Sequence, residues 1–200
     1  MKKILILFAH PALQKSRVNK HLIPGLQKME GVTFHDLYQH YPDFDIDVKY
    51  EQQLLEEHDV VIFHHPLFWY STPAILKEWQ DLVLEHGWAY GREGNALKDK
   101  VFFNIITTGG GGDAYSESGF HKHTIKMLLA PIMQTAKLCK MIFLPPYVVH
   151  GTHSISPKEI NQHGENIAQI LSLLRDEKMD IDKVIPANYL NEYLENNKNA

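Results

Sequence analysis

The chain is poor in three things: cysteine, long apolar runs and net charge. Its one cysteine, Cys139, lies in the apolar stretch from Leu138 to Leu144. A disulfide framework within the chain is therefore excluded, and a reducing compartment is expected. In that setting Cys139 reads as a small buried hydrophobe rather than a reactive thiol. No stretch approaches the roughly 20 apolar residues that span a bilayer. The first apolar run, Ile4 to Ala9 behind Met1-Lys2-Lys3, stops at His10-Pro11 and is too short for a secretory core. A cytoplasmic chain is expected, free to dock on a membrane protein from the cytosolic side. Lys and Arg number 20 against 24 Asp and Glu, a net charge of −4, which gives no support to a nucleic-acid partner.

Several motifs are missing as well. The loop after the first apolar run has no G-x-G-x-x-G, so the dinucleotide-binding fingerprint is absent there. No G-x-S-x-G elbow supports a hydrolase. No C-x-x-C or H-E-x-x-H is present among the 13 histidines and their neighbours. His64-His65 point to opposite sides of a strand, and His121 and His123 do not share a helix face. No metal is expected. Asp43, Asp45, Asp47 and Glu51 are interleaved with Phe44 and Ile46 and have no mid-loop glycine. They read as solvated acids on a packed connector rather than as a calcium loop.

What is present is an alternation. The chain has 200 residues, 44% hydrophobic and 22% charged, which fits one globular domain. Residues 4–9, 60–63 and 101–106 are continuous apolar runs, the signature of strands buried on both faces. Residues 32–37 read as a second strand. Residues 141–149 read as a fifth, which Pro145-Pro146 place at an edge or cut short. Between them lie helical patterns. One follows Ser16, with Val18, Leu22, Ile23 and Leu26 in phase and Pro24 as a kink. A short one covers 50–57. A third opens at Thr72-Pro73, with Thr72 as cap. A fourth covers about 121–135, with Pro131 a kink. The last runs from Ser156-Pro157 through Leu174. This predicts an α/β, flavodoxin-like three-layer sandwich with a five-stranded parallel sheet in the order 2-1-3-4-5. The domain occupies residues 1–175. Residues 176–200 form a polar C-terminal extension, disordered at its end.

In that order the loops after strands 1, 3 and 4 meet at the switch point. The first carries His10, Ser16, Arg17, Val18 and Asn19. Free N–H groups, a helix dipole and a guanidinium suit a phosphate monoester. Alternatively Ser16 only caps the helix, Arg17 is solvated and His10 is a satisfied strand-end histidine. The second loop, Pro66-Leu67-Phe68-Trp69-Tyr70, offers flat aromatic surface, or else roofs the core. Its backbone could bond the polar edge of an isoalloxazine while Trp69 covers the face. The third, Thr107-Thr108-Gly109-Gly110-Gly111-Gly112, permits close backbone approach, or is a flexible connection. Tyr115 and His121 follow it and can donate protons or hydrogen bonds. A planar cofactor that gains negative charge needs aromatic cover and backbone donors together, so the constellation reads as a flavin site in an oxidoreductase.

These blocks carry a resemblance. Ala9-His10-Pro11, Ser16 to Asn19, Tyr41-Pro42-Asp43-Phe44, Pro66 to Tyr70, Gly87-Trp88-Ala89-Tyr90-Gly91, Thr107 to Gly110 and Tyr115 to His121 occur in order. Over about residues 3–175 the chain resembles the flavodoxin-like NAD(P)H:quinone oxidoreductase family. It is most similar to a bacterial branch, the ancillary oxidoreductases of glutathione-regulated potassium-efflux systems. The resemblance implies FMN rather than FAD, NADH or NADPH as donor, a quinone as acceptor and ping-pong hydride transfer. It implies a homodimer with sites at the subunit interface, and a potassium-efflux antiporter as partner at the inner membrane face. By position, His10 and Ser16 to Asn19 would hold the phosphate side. Pro66 to Tyr70 and Thr107 to Gly111 would hold the ring, and Tyr115 and His121 would manage charge on it. Trp69 and Tyr90 would shape the substrate pocket. Many members carry glutamine where Phe68 stands, so a ring contact there falls to the backbone. Two function classes follow: a flavin enzyme, and a regulatory subunit whose redox turnover is secondary. A one-electron carrier is disfavoured by the weak acidity and the Tyr115–His121 pair.

Overall fold

The computed structural model describes residues 1–198. In chain order the elements are β1 (Ile4–Phe8), α1 (Asn19–Leu26), β2 (Val32–Asp36), α2 (Leu37–His40), α3 (Val48–Glu57), β3 (Val60–Pro66), α4 (Ala74–Val83), β4 (Val101–Thr107), α5 (Ile125–Leu128), α6 (Ala130–Leu138), β5 (Ile142–Phe143), β6 (Tyr147–Val149), α7 (Pro157–Arg175), α8 (Ile181–Val184) and α9 (Leu190–Lys198). The strands form one sheet in the order β2-β1-β3-β4-β5, with β6 also pairing β4. All pairings are parallel.

Every residue of β1, β3 and β4 is buried, because helices cover both faces. Leu5, Leu7, Val61, Phe63, Phe102 and Ile106 pack with side chains of α3, α4 and α6. Ile4, Ile6, Val60, Ile62, Phe103 and Ile105 pack with those of α1 and α7. The alternation along each strand thus builds three layers. The register pairs Phe8 with His64 and Pro66 with Thr107, so β1, β3 and β4 end along one edge.

The expected order stands, with local differences. Pro145-Pro146 split the fifth strand into β5 and β6, since proline cannot donate to a ladder. The helix expected over 121–135 is two helices. Thr124 caps α5 by accepting the Met127 N–H, and Pro131 sits in the first turn of α6, where its missing N–H is harmless. Thr72 is not a cap: α4 starts behind Pro73 with no side-chain cap. Helix α3 begins at Val48 rather than Tyr50, because Asp47 accepts the Tyr50 N–H. Glu51 is not a solvated acid. It is fully buried and takes bonds from Tyr41 Oη at 2.6 Å, Trp79 Nε1 at 2.7 Å and His35 Nε2 at 2.7 Å, which satisfies a carboxylate that burial alone would penalise.

Beyond Arg175 the chain packs. Met179, Val184, Leu190 and Leu194 are buried in the α1/α7 face of the core. The backbone of 196–198 continues α9; the rest of the expected disordered end, residues 199–200, lies outside the described residues. Among the described residues no helix is long and apolar enough to cross a membrane.

Candidate active site

The first loop leaves β1 through His10, which is buried and accepts the Ala12 N–H on Nδ1 at 3.1 Å. Burial holds its pKa below the ordinary value, so the turn is built on a neutral imidazole. Ser16 Oγ accepts the backbone and side-chain N–H groups of Asn19, both at 3.1 Å. It caps the turn that leads into α1. Arg17 is more than a solvated cation: its Nη1 donates to the carbonyl of His153 at 3.1 Å. Val18 is buried among the apolar residues of the α1/α7 face, which leaves only its backbone to face a ligand. The Asn19 carboxamide joins three elements. Its Nδ2 lies 3.3 Å from Thr107 Oγ1, and its Oδ1 lies 2.9 Å from His64 Nε2. His64 is fully buried and desolvation pushes its pKa down to about 3, so it is neutral and donates from Nε2. Its Nδ1 is buried without a partner.

The second loop is a tight reversal. Phe68 and Ser71 exchange backbone bonds at 3.1 and 2.9 Å. Between them Trp69 and Tyr70 have φ of 48° and 65°. Two left-handed residues in succession are the geometry that Asn-Gly serves best, and bulky residues there are strained by ~1–3 kcal/mol each. Trp69 is 93% exposed, so burial does not offset the strain. Phe68 lies edge-on to His10 at 5.8 Å, and Tyr70 edge-on to His121 at 5.4 Å. The Leu67 N–H donates to the Thr107 carbonyl at 2.9 Å, tying this loop to the next.

The third loop starts from buried Thr107 and Thr108. Thr108 Oγ1 donates to the Gly110 carbonyl and pairs with His150 Nδ1, both at 2.9 Å. A Cβ on Gly109 would stand 2.9 Å from His153 Nε2. On Gly110 it would meet Tyr115 at 3.2 Å and His121 at 3.4 Å. At Gly109 and Gly110 the missing side chain therefore makes room for ring-to-backbone packing, not only for flexibility. Tyr115 and His121 stack, with centroids 4.4 Å apart and planes at 28°. Burial raises the Tyr115 pKa, so the phenol keeps its proton and remains a donor. His121 Nδ1 is buried without a partner. An orphaned ring nitrogen beside a glycine cradle, an exposed aromatic and a polar turn leading into a helix N-terminus fit a planar cofactor with a phosphate tail.

The structure thus brings together His10, Ser16, Asn19, Leu67, Phe68, Tyr70, Thr107, Thr108, Gly110, Tyr115 and His121. Tyr90 is different. It packs against the α3/α4/α6 side of the core and lies edge-on to His86 at 5.3 Å. Among the described residues no hydrogen bond or ring contact joins it to the three loops. Sequence reasoning missed His64, Asn104, His150 and His153 as parts of this edge. Asn104 was the readable signal, a polar residue within the buried strand β4. Its Oδ1 lies 3.4 Å from His65 Nε2 and its Nδ2 is unpartnered.

A parallel sheet in this order, with its polar loops gathered at the carboxyl edge, defines the flavodoxin-like class of α/β proteins. The chain belongs to the flavodoxin-like fold family, whose model matches residues 2–171. It is 44% identical over 169 residues to the glutathione-regulated potassium-efflux system ancillary protein KefG of Yersinia enterocolitica, covering 84% of this chain and 92% of that one. Among solved structures it is similar to general stress protein 14 of Treponema denticola in complex with FMN. There the identity is 34% and the TM-score 0.82, over 86% of this chain and 99% of that chain. It is also similar to an NADPH-quinone reductase from P. pentosaceus, at 32% identity and a TM-score of 0.77, over 84% and 96%.

Proposed function

We propose that the chain is an FMN-dependent NAD(P)H:quinone oxidoreductase. The observation that carries this reading is the Trp69–Tyr70 turn. Two bulky residues are held in strained backbone conformations, and Trp69 is left 93% exposed beside a glycine loop and a Tyr–His stack. Strain without a packing return marks a functional element. The FMN complex of the general stress protein 14 relative supports the cofactor. The named quinone reductase supports the reaction class.

In this reading Ser16, Arg17 and the backbone of Val18 and Asn19 hold the phosphate, with His10 closing the turn. Pro66 to Tyr70 and Thr107 to Gly111 frame the ring. Bound FMN would supply hydride chemistry, accepting from NADH or NADPH and delivering to a quinone in ping-pong order. Tyr115 Oη and His121, together with the glycine-loop amides, would donate to negative charge on the bound ring. Trp69 excludes water from one face. Tyr90, which among the described residues makes no hydrogen bond or ring contact with the three loops of its own chain, would join the pocket of a second copy in a homodimer, for which exposed Trp69 and Phe120 (84% exposed) would supply apolar surface.

His121→Gln tests the role of the stack. Removing one such donor commonly slows reaction by ~10²–10³-fold. Stopped-flow reduction by NADH should slow on that scale while FMN stays bound; an unchanged rate removes His121 from the chemistry.

A second reading has its own support, the 44% identity to an ancillary protein of a potassium-efflux system. Here the chain acts at the inner membrane face by binding an antiporter, and turnover is secondary. Gly110→Val, which collides with Tyr115 and His121, should abolish flavin binding. If cells carrying it still show full potassium efflux, binding is the primary role; if efflux is lost with the flavin, redox turnover is.

A further inference from the structure

We propose that the segment around Tyr189–Asn191 is a strap that closes the open edge of β6 and positions the glycine loop through His150. Tyr189 and Asn191 are then positioning residues. That the loop they brace holds FMN rests on the function proposed above; the bracing itself does not.

Strand β6 follows two prolines and pairs only with β4, so its outer edge has backbone groups to satisfy. Among the described residues no further strand supplies them. The carboxamide of Asn191 does: its Oδ1 accepts the Val148 N–H and its Nδ2 donates to the Val148 carbonyl, both at 3.0 Å. The Leu190 N–H adds a bond to the Pro146 carbonyl at 3.0 Å. One side chain thus mimics a neighbouring strand. The strap also straddles the sheet. Tyr189 packs on the α3/α4/α6 side, while Leu190 and Leu194 are buried on the α1/α7 side.

From there a continuous set of contacts reaches the candidate site. The Tyr189 ring stands edge-on to His150 at 6.0 Å. His150 Nδ1 pairs with Thr108 Oγ1 at 2.9 Å, and Thr108 Oγ1 donates to the Gly110 carbonyl. The His150 ring also lies 5.7 Å from Tyr115. The backbone runs in parallel. Thr108 N–H donates to Val149, Gly151 N–H to Gly110 and Thr152 N–H to Thr108, at 2.9 to 3.0 Å. The glycine loop therefore hangs on the segment after β6, and that segment is held from outside by the strap. The strap lies C-terminal to residues 2–171, the part that the family model matches.

The test uses full-length protein without added flavin first. Backbone hydrogen exchange is followed at Thr108, Gly151 and Thr152 in wild type, Tyr189→Ala, Tyr189→Phe and Asn191→Asp. Leu55→Ala, a truncation of the α3 contribution to the core that bears no contact to the strap or the glycine loop, is the control for general destabilisation. Tyr189→Ala and Asn191→Asp should speed exchange at these amides by about 2- to 30-fold, the range of side-chain couplings between neighbouring elements. Tyr189→Phe keeps the ring and should restore protection. Leu55→Ala should leave these amides no faster than the rest of the sheet. Equal loosening in Leu55→Ala, or unchanged exchange in Tyr189→Ala and Asn191→Asp, overturns the strap. If Tyr189→Ala does not fold, Tyr189→Leu replaces it. FMN titration of the same set then reads the consequence, with affinity falling in step with protection. A wild type that binds no FMN while its amides still respond to the strap variants contradicts the proposed function and leaves the strap standing.

Discussion

Trp69 shows most plainly how a single residue reports on purpose. Its φ of 48° and its exposure of 93% mean that the fold gains little from it. Replacing Trp69-Tyr70 by Asn-Gly, the pair best suited to this turn, should stabilise the flavin-free protein by about 1 kcal/mol or more while weakening FMN retention. Urea unfolding of the apoprotein and FMN fluorescence quenching measure the two effects. A double variant that is less stable and still binds FMN normally would show the turn to be structural. At this scale the sequence was legible where residue type alone implies function, as in the glycine run and the Tyr115–His121 pair. It was not legible where partners come from distant places. Glu51 looked solvated because the three donors that bury it come from β2 (His35), the connector after α2 (Tyr41) and α4 (Trp79). His150 carried no signal, since neither Thr108 nor Tyr189 is near it in sequence.

Among the elements, start signals separate into those that act and those that only look right. Ser156 and Glu159 form a reciprocal capping box at the start of α7, whereas Thr72 makes no cap for α4. Ser156→Ala should cost about 1 kcal/mol of stability, and Thr72→Ala should stay within about 0.5 kcal/mol of wild type. Denaturant midpoints of the two variants decide it; equal losses would contradict the assignment. Strands buried on both faces were readable as apolar runs, and their order followed from alternation with helices. The edge was harder. Pro145-Pro146 announced an interruption, yet not that both halves would stay on β4, because pairing depends on the partner strand. The last 25 residues read as polar. Of their buried side chains, Met179 and Val184 fall at no helical spacing, Leu190 and Leu194 make only a single four-residue step, and the bond from Asn191 to Val148 spans 43 residues.

For the molecule as a whole, the sheet edge carries buried neutral histidines whose protonation opposes folding. The pKa of His64 is pushed down to about 3 from 6.5, and burial lowers those of His65, His10, His150 and His163 as well. Above pH 6.5 both folded and unfolded states hold these rings neutral. Below it the unfolded chain binds protons that the fold refuses, so stability falls with pH, by up to about 1.4 kcal/mol per pH unit for each such ring. The urea midpoint should drop between pH 7 and 5, and His64→Gln should shallow that drop; a flat profile would contradict neutral burial. The same edge is where the parallel sheet gathers its loops, and the central claim is that they hold a working flavin. The most direct measurement is the visible spectrum of purified protein after mixing with FMN and desalting, followed by anaerobic NADH and then a quinone. Retained absorbance near ~450 nm that bleaches with NADH and returns with quinone is the predicted result, as expected of a flavin that carries hydride. A colourless protein, or bound FMN that NADH leaves oxidised, would contradict it.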